Sequence, residues 1–449
     1  MNDTIVAIST SYIAGPISIV RLSGDNAIEI VNSCFKGKDL KKVESHTINY
    51  GHIYDESELI DEVMVSVMKA PKTYTREDVI EINCHGGQFV TQKVLELMLK
   101  RGARMAEAGE FTKRAFLNGR IDLTQAEAVM DVIDAKTKES LKLANVALRG
   151  DVRRLIDGLR SKLVMCINKI EVNIDYPEYE DEEQITNEVL NPLLNEVKSD
   201  LNTLISKSEI SEVIKEGIKT IIVGKPNVGK SSLLNGLLRE QKAIVTDIAG
   251  TTRDIVEGRV NIGGVVLNLV DTAGIHKTLD KIEQIGVEKS FDEIEKADLI
   301  ILVFDNSTPL ASEDLDLLEK TKEKNRIIVV NKIDLESKID LNKIGPHIQM
   351  SAFNEEDICK LENTIKEMYA LNDINNIDAT YIGNARQRGK LYEALSYINS
   401  ATSSLDNLIP IDIICEDIRL ADKALGDIIG VNSSDNLLDE LFKNFCLGK

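Results

Sequence analysis

The chain has 449 residues, 43% of them hydrophobic and 29% charged, an ordinary balance for roughly two to four globular domains with sizeable cores. Its net charge of −20 argues against nucleic acid held on a broad basic surface, DNA included, because phosphate binding needs clustered Lys and Arg. RNA as a substrate would need a local patch or a partner protein. No run of about 18 apolar residues occurs, and MNDTIVAIST has neither a basic start nor a long apolar stretch. No membrane span or signal peptide is expected, and the expected location is cytoplasmic. Six cysteines (Cys34, Cys84, Cys166, Cys359, Cys415, Cys446) are scattered without zinc or redox spacing, so no disulfide framework or structural zinc is indicated.

Residues 1–120 read as a mixed α/β domain. IVAIS, ISIVRLSG, VMVSVM and VIEINCHGG look like strands, while DNAIEIVNSCF and TQKVLELMLKRGA look helical. Arg21 and Glu81 interrupt two of the strands. From the residues alone they stand open between a solvated or sheet-edge ion pair and a ligand-binding role. From Thr124 the pattern turns helical, with Thr124 and Glu127 spelling a capping box. Apolar residues from Ala126 to Ile170 predict one or two long amphipathic helices ending near Pro177. The acidic DYPEYEDEE that follows reads as a solvated loop, with a metal site as the alternative. A helix over about 189–214 leads into the next unit.

Residues 217–372 alternate strand and helix patterns, as a doubly wound domain does. At its start stands GKPNVGKS, Gly224 to Ser231, between a buried strand and a helix. That is the context of a P-loop: Lys230 reaches the β and γ phosphates and the Ser231 hydroxyl ligates Mg²⁺. In IVTDIAGTTRD, Thr252 suits a switch loop that gives a second hydroxyl to Mg²⁺. In VVLNLVDTAG, Asp271 suits a water-mediated Mg²⁺ contact and Gly274 a γ-phosphate contact. In IIVVNKID, Asn331, Lys332 and Asp334 follow another strand. Asp334 accepts from the guanine N1–H and amino group, which selects GTP over ATP. Ser351 and Ala352 sit where a backbone amide meets the guanine oxygen. Ile275 stands where Ras-like proteins carry a water-orienting Gln. Asn227 offers an amide oxygen to a monovalent cation near the phosphates. Helical stripes return at Gln387–Ser400, Asp412–Ile429 and Leu437–Phe445. The predicted organisation inserts the nucleotide domain (217–372) between two halves of one helical domain, 121–214 and 373–449.

Residues 224–254 and 271–286, with the terminal FCLGK, closely resemble the bacterial tRNA modification GTPase family MnmE, also called TrmE. The resemblance runs over essentially the whole chain. It implies a multidomain fold: a folate-binding-like α/β N-terminal domain, a discontinuous helical domain and an inserted Ras-like P-loop G domain. It also implies homodimers through the N-terminal domain, G domains that pair across the nucleotides when K⁺ binds, and no membrane or DNA. The implied partner is an FAD-dependent MnmG-like protein, giving a heterotetramer. Together they add an aminomethyl or carboxymethylaminomethyl group to wobble uridine of certain tRNAs, using a 5-formyl- or methylene-tetrahydrofolate one-carbon unit.

Residue by residue, the resemblance implies GTP contacts at Asn227, Val228, Gly229, Lys230, Ser231 and Ser232. It extends them to Thr246, Asp247, Ile248, Ala249, Gly250, Thr251 and Thr252, to Asp271, Thr272, Ala273 and Gly274, and to Asn331, Lys332, Asp334, Ser351 and Ala352. It gives Mg²⁺ to Ser231 and Thr252, and K⁺ to Asn227, Thr246, Ile248 and Thr251. Glu283 takes the water-orienting carboxylate position; by itself it reads as an exposed helix residue. Arg21, Glu81, Arg120 and Lys449 line the implied folate pocket, where an Arg and a Lys suit the glutamate tail and a carboxylate suits the pterin's donor edge. Cys446 is implicated in the modification chemistry, as acid, nucleophile or structural thiol. The reading as a packing cysteine fits Cys34, Cys166, Cys359 and Cys415 better. The chain departs from the family pattern at Tyr12, Ile13, Pro16 and Ser18, and at His276. The rival readings are a ribosome-assembly GTP switch and a non-catalytic dimerisation scaffold.

Overall fold

The computed structural model describes residues 3–175, 187–238, 258–271, 294–369, 382–407, 409–431 and 434–448. They form two compact units: Met1–Met130 with Leu148–Val197 and Glu393–Lys449, and Asp131–Ala147 with Lys198–Tyr392.

The first unit is built on a seven-stranded sheet. Its strands are β1 (Ile5–Ile8), β2 (Ile17–Ser23), β3 (Phe35–Lys36), β4 (Thr47–Asp55), β5 (Glu58–Met68), β6 (Val79–His85) and β7 (Arg104–Met105), in the order β3-β4-β5-β6-β2-β1-β7. All neighbours run antiparallel except β1 and β7. Period-two alternation decides what each face does. Val20, Leu22, Ile80, Ile82 and Cys84 bury one face against helices α1 (Ala27–Asn32) and α2 (Gln88–Lys100). Arg21 opposes Glu81 in register and shares the other face. There a small cluster of Ile5, Ala7, Ala106 and Phe111, with Tyr74 packed on it, covers part of the sheet. Strands β3, β4 and β7 are additions to the predicted set. The β4 segment TINYGHIYD was missed because it mixes polar and apolar residues without a clean period.

The helical part also differs from the expectation. After the short helix α3 (Glu110–Leu117), three helices, α4 (Leu123–Asp134), α5 (Lys138–Leu148) and α6 (Asp151–Asp175), replace the predicted one or two; Gly150, at φ +82°, ends one of them in a conformation that favours glycine. The capping box sits two residues earlier than Thr124 and Glu127. The Asp122 carboxylate accepts from the Gln125 amide at 3.0 Å, and the Gln125 side chain accepts from the Asp122 amide at 3.0 Å. Thr124 is instead buried and donates to Asp122 at 2.6 Å. Helix α6 packs on the helix Ile411–Ile429, with Arg160 Nε on Asp422 at 2.9 Å. The helix Asp435–Phe442 closes a cluster with Leu123, Ala126, Phe442 and Phe445. Burying one such Phe contributes about 1.5–3 kcal/mol. Cys34, Cys166 and Cys415 are buried as packing residues, and burial pushes the Cys34 thiol up to about 11. Cys359, expected among them, is exposed, on the solvent side of the helix Glu355–Met368. The acidic stretch at 176–183 lies outside the described residues.

The second unit carries a six-stranded sheet. It comprises β8 (Ile218–Val223), β9 (Gly258–Ile262), β10 (Val265–Asp271), β11 (Leu299–Asp305), β12 (Arg326–Asn331) and β13 (Ile348–Gln349), in the order β13-β12-β11-β8-β10-β9. Every pair is parallel except β9 with β10. Parallel strands covered on both faces need continuous apolar runs, and LIILVF in β11 and IIVV in β12 supply them. The strand order changes direction beside β8, which places the ligand crevice at its C-terminal end.

Candidate functional site

At that point β8, which follows the long helix α7 (Asn187–Glu216), gives way to Gly224–Gly229 and then to helix α8 (Lys230–Leu237). The loop curls through left-handed backbone at Asn227 (φ +66°) and Gly229 (φ +101°), which aims successive amides into one concavity at a helix N-terminus. Gly229 has no alternative: a Cβ there would lie 2.1 Å from Asn331 Nδ2. Lys230 is buried and donates to the Gly224 and Lys225 carbonyls, both at 2.7 Å. Its ammonium is thus held at the loop's own carbonyls, within the cradle. Ser231, in the first turn of α8, is exposed and available to a cation, and Ser232 beside it is half-buried. Asn227 is exposed as well.

The base-recognition residues close on this loop from β12. Asn331 is 3% exposed, donates to the Val228 carbonyl at 2.9 Å and accepts from the Ala352 amide at 2.9 Å. It therefore stitches the P-loop to the loop after β13. Lys332, at φ +63°, donates to the Asn227 carbonyl at 2.6 Å. Asp334 is exposed, as a carboxylate awaiting a ligand must be. The Ser351 amide donates to Asp357 at 3.0 Å. Both amides expected to meet the guanine oxygen are thus committed to protein acceptors, so a guanine there would share one of them. Phe353 beside them is 85% exposed, an aromatic surface at the base loop that the sequence reading did not single out.

Two acidic residues that the sequence reading missed hold this site from behind. Asp314, 2% exposed, accepts from Lys225 of the P-loop at 2.6 Å. Asp305 ends β11 and accepts from Lys332 at 2.6 Å. Burial pushes the Asp305 carboxyl up, but hydrogen bonds from Lys332 and Ser307 outweigh it and hold the group below the usual carboxylate range. A signal existed for Asp305: a lone acid closing an apolar strand whose neighbour in the sheet carries NKID.

Asp271 ends β10 in register with Ile222 of β8, which brings its backbone beside the P-loop. Thr246, Asp247, Ile248, Ala249, Gly250, Thr251, Thr252, Thr272, Ala273, Gly274, Glu283 and Lys449 lie outside the described residues.

In the first unit, Arg21 and Glu81 form an ion pair in mid-sheet, not at its edge. Arg21 Nε meets Glu81 Oε1 at 2.8 Å, with side chains about one-fifth exposed. Arg21 also lies over the Phe111 ring at 5.8 Å, and exposed Arg120 lies over the Tyr74 ring at 4.8 Å. Both cations therefore border the same apolar cluster. The C-terminal segment comes to this place. The Gly448 carbonyl accepts from Arg21 at 2.9 Å and from Ser9 at 3.1 Å, and the Cys446 carbonyl accepts from the Gly109 amide at 3.3 Å. Cys446 itself is exposed. The structure thus brings together Arg21, Glu81, Arg120 and the Cys446–Gly448 segment. Ser9 is the addition.

A P-loop, a buried Asn bridging it to the base loop and a free carboxylate after NKI, on a doubly wound sheet, define a guanine-nucleotide-binding protein. Among the described residues no helix is long and apolar enough to cross a membrane. Residues 4–120 match the family model for the N-terminus of the GTP-binding protein TrmE, and 123–446 match the MnmE helical domain. The tRNA modification GTPase MnmE of Lactococcus lactis subsp. cremoris is 51% identical over 100% of this chain and 98% of its own length. Those of Streptococcus thermophilus and Bacillus licheniformis are each 50% identical over 100% of this chain, and over 98% and 100% of their own lengths. The chain belongs to the MnmE family, and it is a GTPase.

Proposed function

We propose that this GTPase works in tRNA wobble-uridine modification in the cytoplasm, as a homodimer joined to an FAD-dependent MnmG-like protein. The product is an aminomethyl or carboxymethylaminomethyl group on carbon 5 of the uridine. The observation that carries this reading is the docking of the Cys446–Gly448 segment on Arg21, beside Glu81 and Arg120. Two cations and a carboxylate beside one apolar cluster, with the Cys446–Gly448 segment docked on Arg21, suit a folate: rings for the pterin, the Arg21–Glu81 pair for its polar edge and Arg120 for the glutamate tail, with Lys449 added from the chain end. A tetrahydrofolate would supply the one-carbon unit there. Cys446, solvent-exposed, is free to act on it. The domain division we adopt is 1–120, 121–214 with 373–449, and 217–372.

For GTP, Lys230 leaves the loop carbonyls for the β and γ phosphates, and Ser231 with Thr252 holds Mg²⁺, which neutralises phosphate charge. The carbonyls and hydroxyls at Thr246, Ile248 and Thr251, with the Asn227 side chain, suit K⁺, which supplies the positive charge an arginine finger would give. Glu283 orients the water that Ile275 cannot. Pairing of two G domains on K⁺ binding then links hydrolysis to the movement of the other domains.

Hydrolysis in KCl against NaCl at matched ionic strength tests the cation reading: strong K⁺ stimulation is expected, and equal rates would remove it. Equilibrium dialysis with 5-formyl-tetrahydrofolate tests the pocket; Arg21→Gln should abolish retention, and no binding by the wild type would sink the folate reading. Cys446→Ser should hydrolyse GTP normally and lose tRNA modification; persistent modification would make the thiol dispensable.

A further inference from the structure

Lys332 is held from two sides. Its Nζ donates to the Asn227 carbonyl at 2.6 Å and to Asp305 Oδ2 at 2.6 Å. The second Asp305 oxygen accepts from the Ser307 amide at 2.8 Å and the Ser307 hydroxyl at 2.7 Å, so the carboxylate cannot turn. Asp305 is also in register with Asn331, the residue before Lys332. Side-chain exposure is 9% for Asp305 and 30% for Lys332. An exposed ion pair would contribute little. This one is half-sheltered, and its cation ends on the backbone of Asn227, a P-loop residue in left-handed conformation.

We propose that Asp305 is a positioning residue of the nucleotide site: acting through Lys332 it fixes the backbone of Asn227, and so sets both nucleotide retention and the affinity of the monovalent-cation position. The inference rests on the GTPase reading and deepens it. Asp305 itself bonds Lys332 and Ser307. It anchors one end of a three-member chain, carboxylate to ammonium to carbonyl, that ties the base-recognition loop to the phosphate loop. Without the carboxylate, Lys332 loses its charged partner and its ammonium turns toward solvent. Asn227 then keeps its left-handed backbone without the bond that holds its carbonyl, and its amide oxygen is no longer fixed relative to the phosphates.

The test uses the full-length chain and four variants: Asp305→Asn, Asp305→Glu, Lys332→Met and the double variant Asp305→Asn/Lys332→Met. Stopped-flow release of a fluorescent GDP is measured, and GTP hydrolysis is titrated with KCl at constant ionic strength. A charged hydrogen bond lost at this shelter predicts roughly tenfold faster release for Asp305→Asn. The KCl midpoint should rise with it, and Asp305→Glu should recover part of both. In the Lys332→Met background Asp305→Asn should add nothing, because the chain is already cut. Wild-type release and midpoint in Asp305→Asn would overturn the proposal. So would effects that add to those of Lys332→Met, which would show Asp305 acting by another route. A merely structural Asp305 would lower the melting temperature and leave the KCl midpoint alone. If the wild type hydrolyses GTP equally in KCl and NaCl, the cation reading falls by itself, and the release rates still decide Asp305.

Discussion

Replacing Gly229 with Ala is a one-carbon change whose cost the structure sets. The new methyl would stand 2.1 Å from Asn331 Nδ2, on backbone at φ +101°. Left-handed backbone costs a non-glycine residue about 1–2 kcal/mol. Asn331 would have to leave, abandoning the Val228 carbonyl and the Ala352 amide, and each buried group left unpaired costs about 1–3 kcal/mol. The free protein relieves this by letting the P-loop shift. GTP needs the original loop, so binding must restore the strain. The total is at least about 3 kcal/mol, which is a loss of affinity of about a hundredfold or more. Calorimetry with GTP and Mg²⁺ measures it directly. The variant Asn331→Ala removes the obstructing amide, so adding Gly229→Ala to it should cost only the backbone term. An affinity for Gly229→Ala within about threefold of the wild type would refute the reasoning, since it would mean the loop binds phosphate in another conformation.

Asp334→Asn should lower GTP affinity and raise that for xanthosine triphosphate, because the amide donates to the carbonyl that replaces the guanine amino group; unchanged base preference in competition assays would reject the guanine role. Arg21→Gln removes a bond to the Gly448 carbonyl, so hydrogen exchange at the Gly109 amide, which donates to Cys446, should accelerate; unchanged protection would show the C-terminal segment held elsewhere. Burial pushes the Glu110 carboxyl up, but Arg104, the Glu107 amide and Arg114 outweigh it and hold it below its ordinary range. A lowered folded value gives stability that is full above the unfolded value and is lost as pH falls through the folded one. Acid unfolding followed by circular dichroism should therefore flatten below about pH 4.3 in Glu110→Gln, and an acid limb as steep as the wild type's would remove Glu110 from it.

Physical locality separates what was legible from what was not. A P-loop is contiguous: strand, turn and helix follow one another, and the conformations of Asn227 and Gly229 are local properties of a short loop. The same holds for NKID at the end of β12, for the helix stripes, and for the identity of β2 and β6. Caps are decided by competition between neighbouring side chains, and there Asp122 with Gln125 prevailed over Thr124 with Glu127. Cys359 was misjudged because one apolar-looking residue on a helix does not say which side it faces.

The order of motifs along the chain specifies that it binds guanine nucleotide on a doubly wound domain and carries a separate α/β domain ahead of a helical region. Tertiary packing is what pairs Arg21 with Glu81 in the middle of a sheet and rests a carbonyl 427 positions away in sequence on that arginine. It alone decided that Asp305 reaches the P-loop through Lys332. Both contacts depend on backbone brought together by sheet register and helix packing, over separations at which no periodicity in the chain carries information.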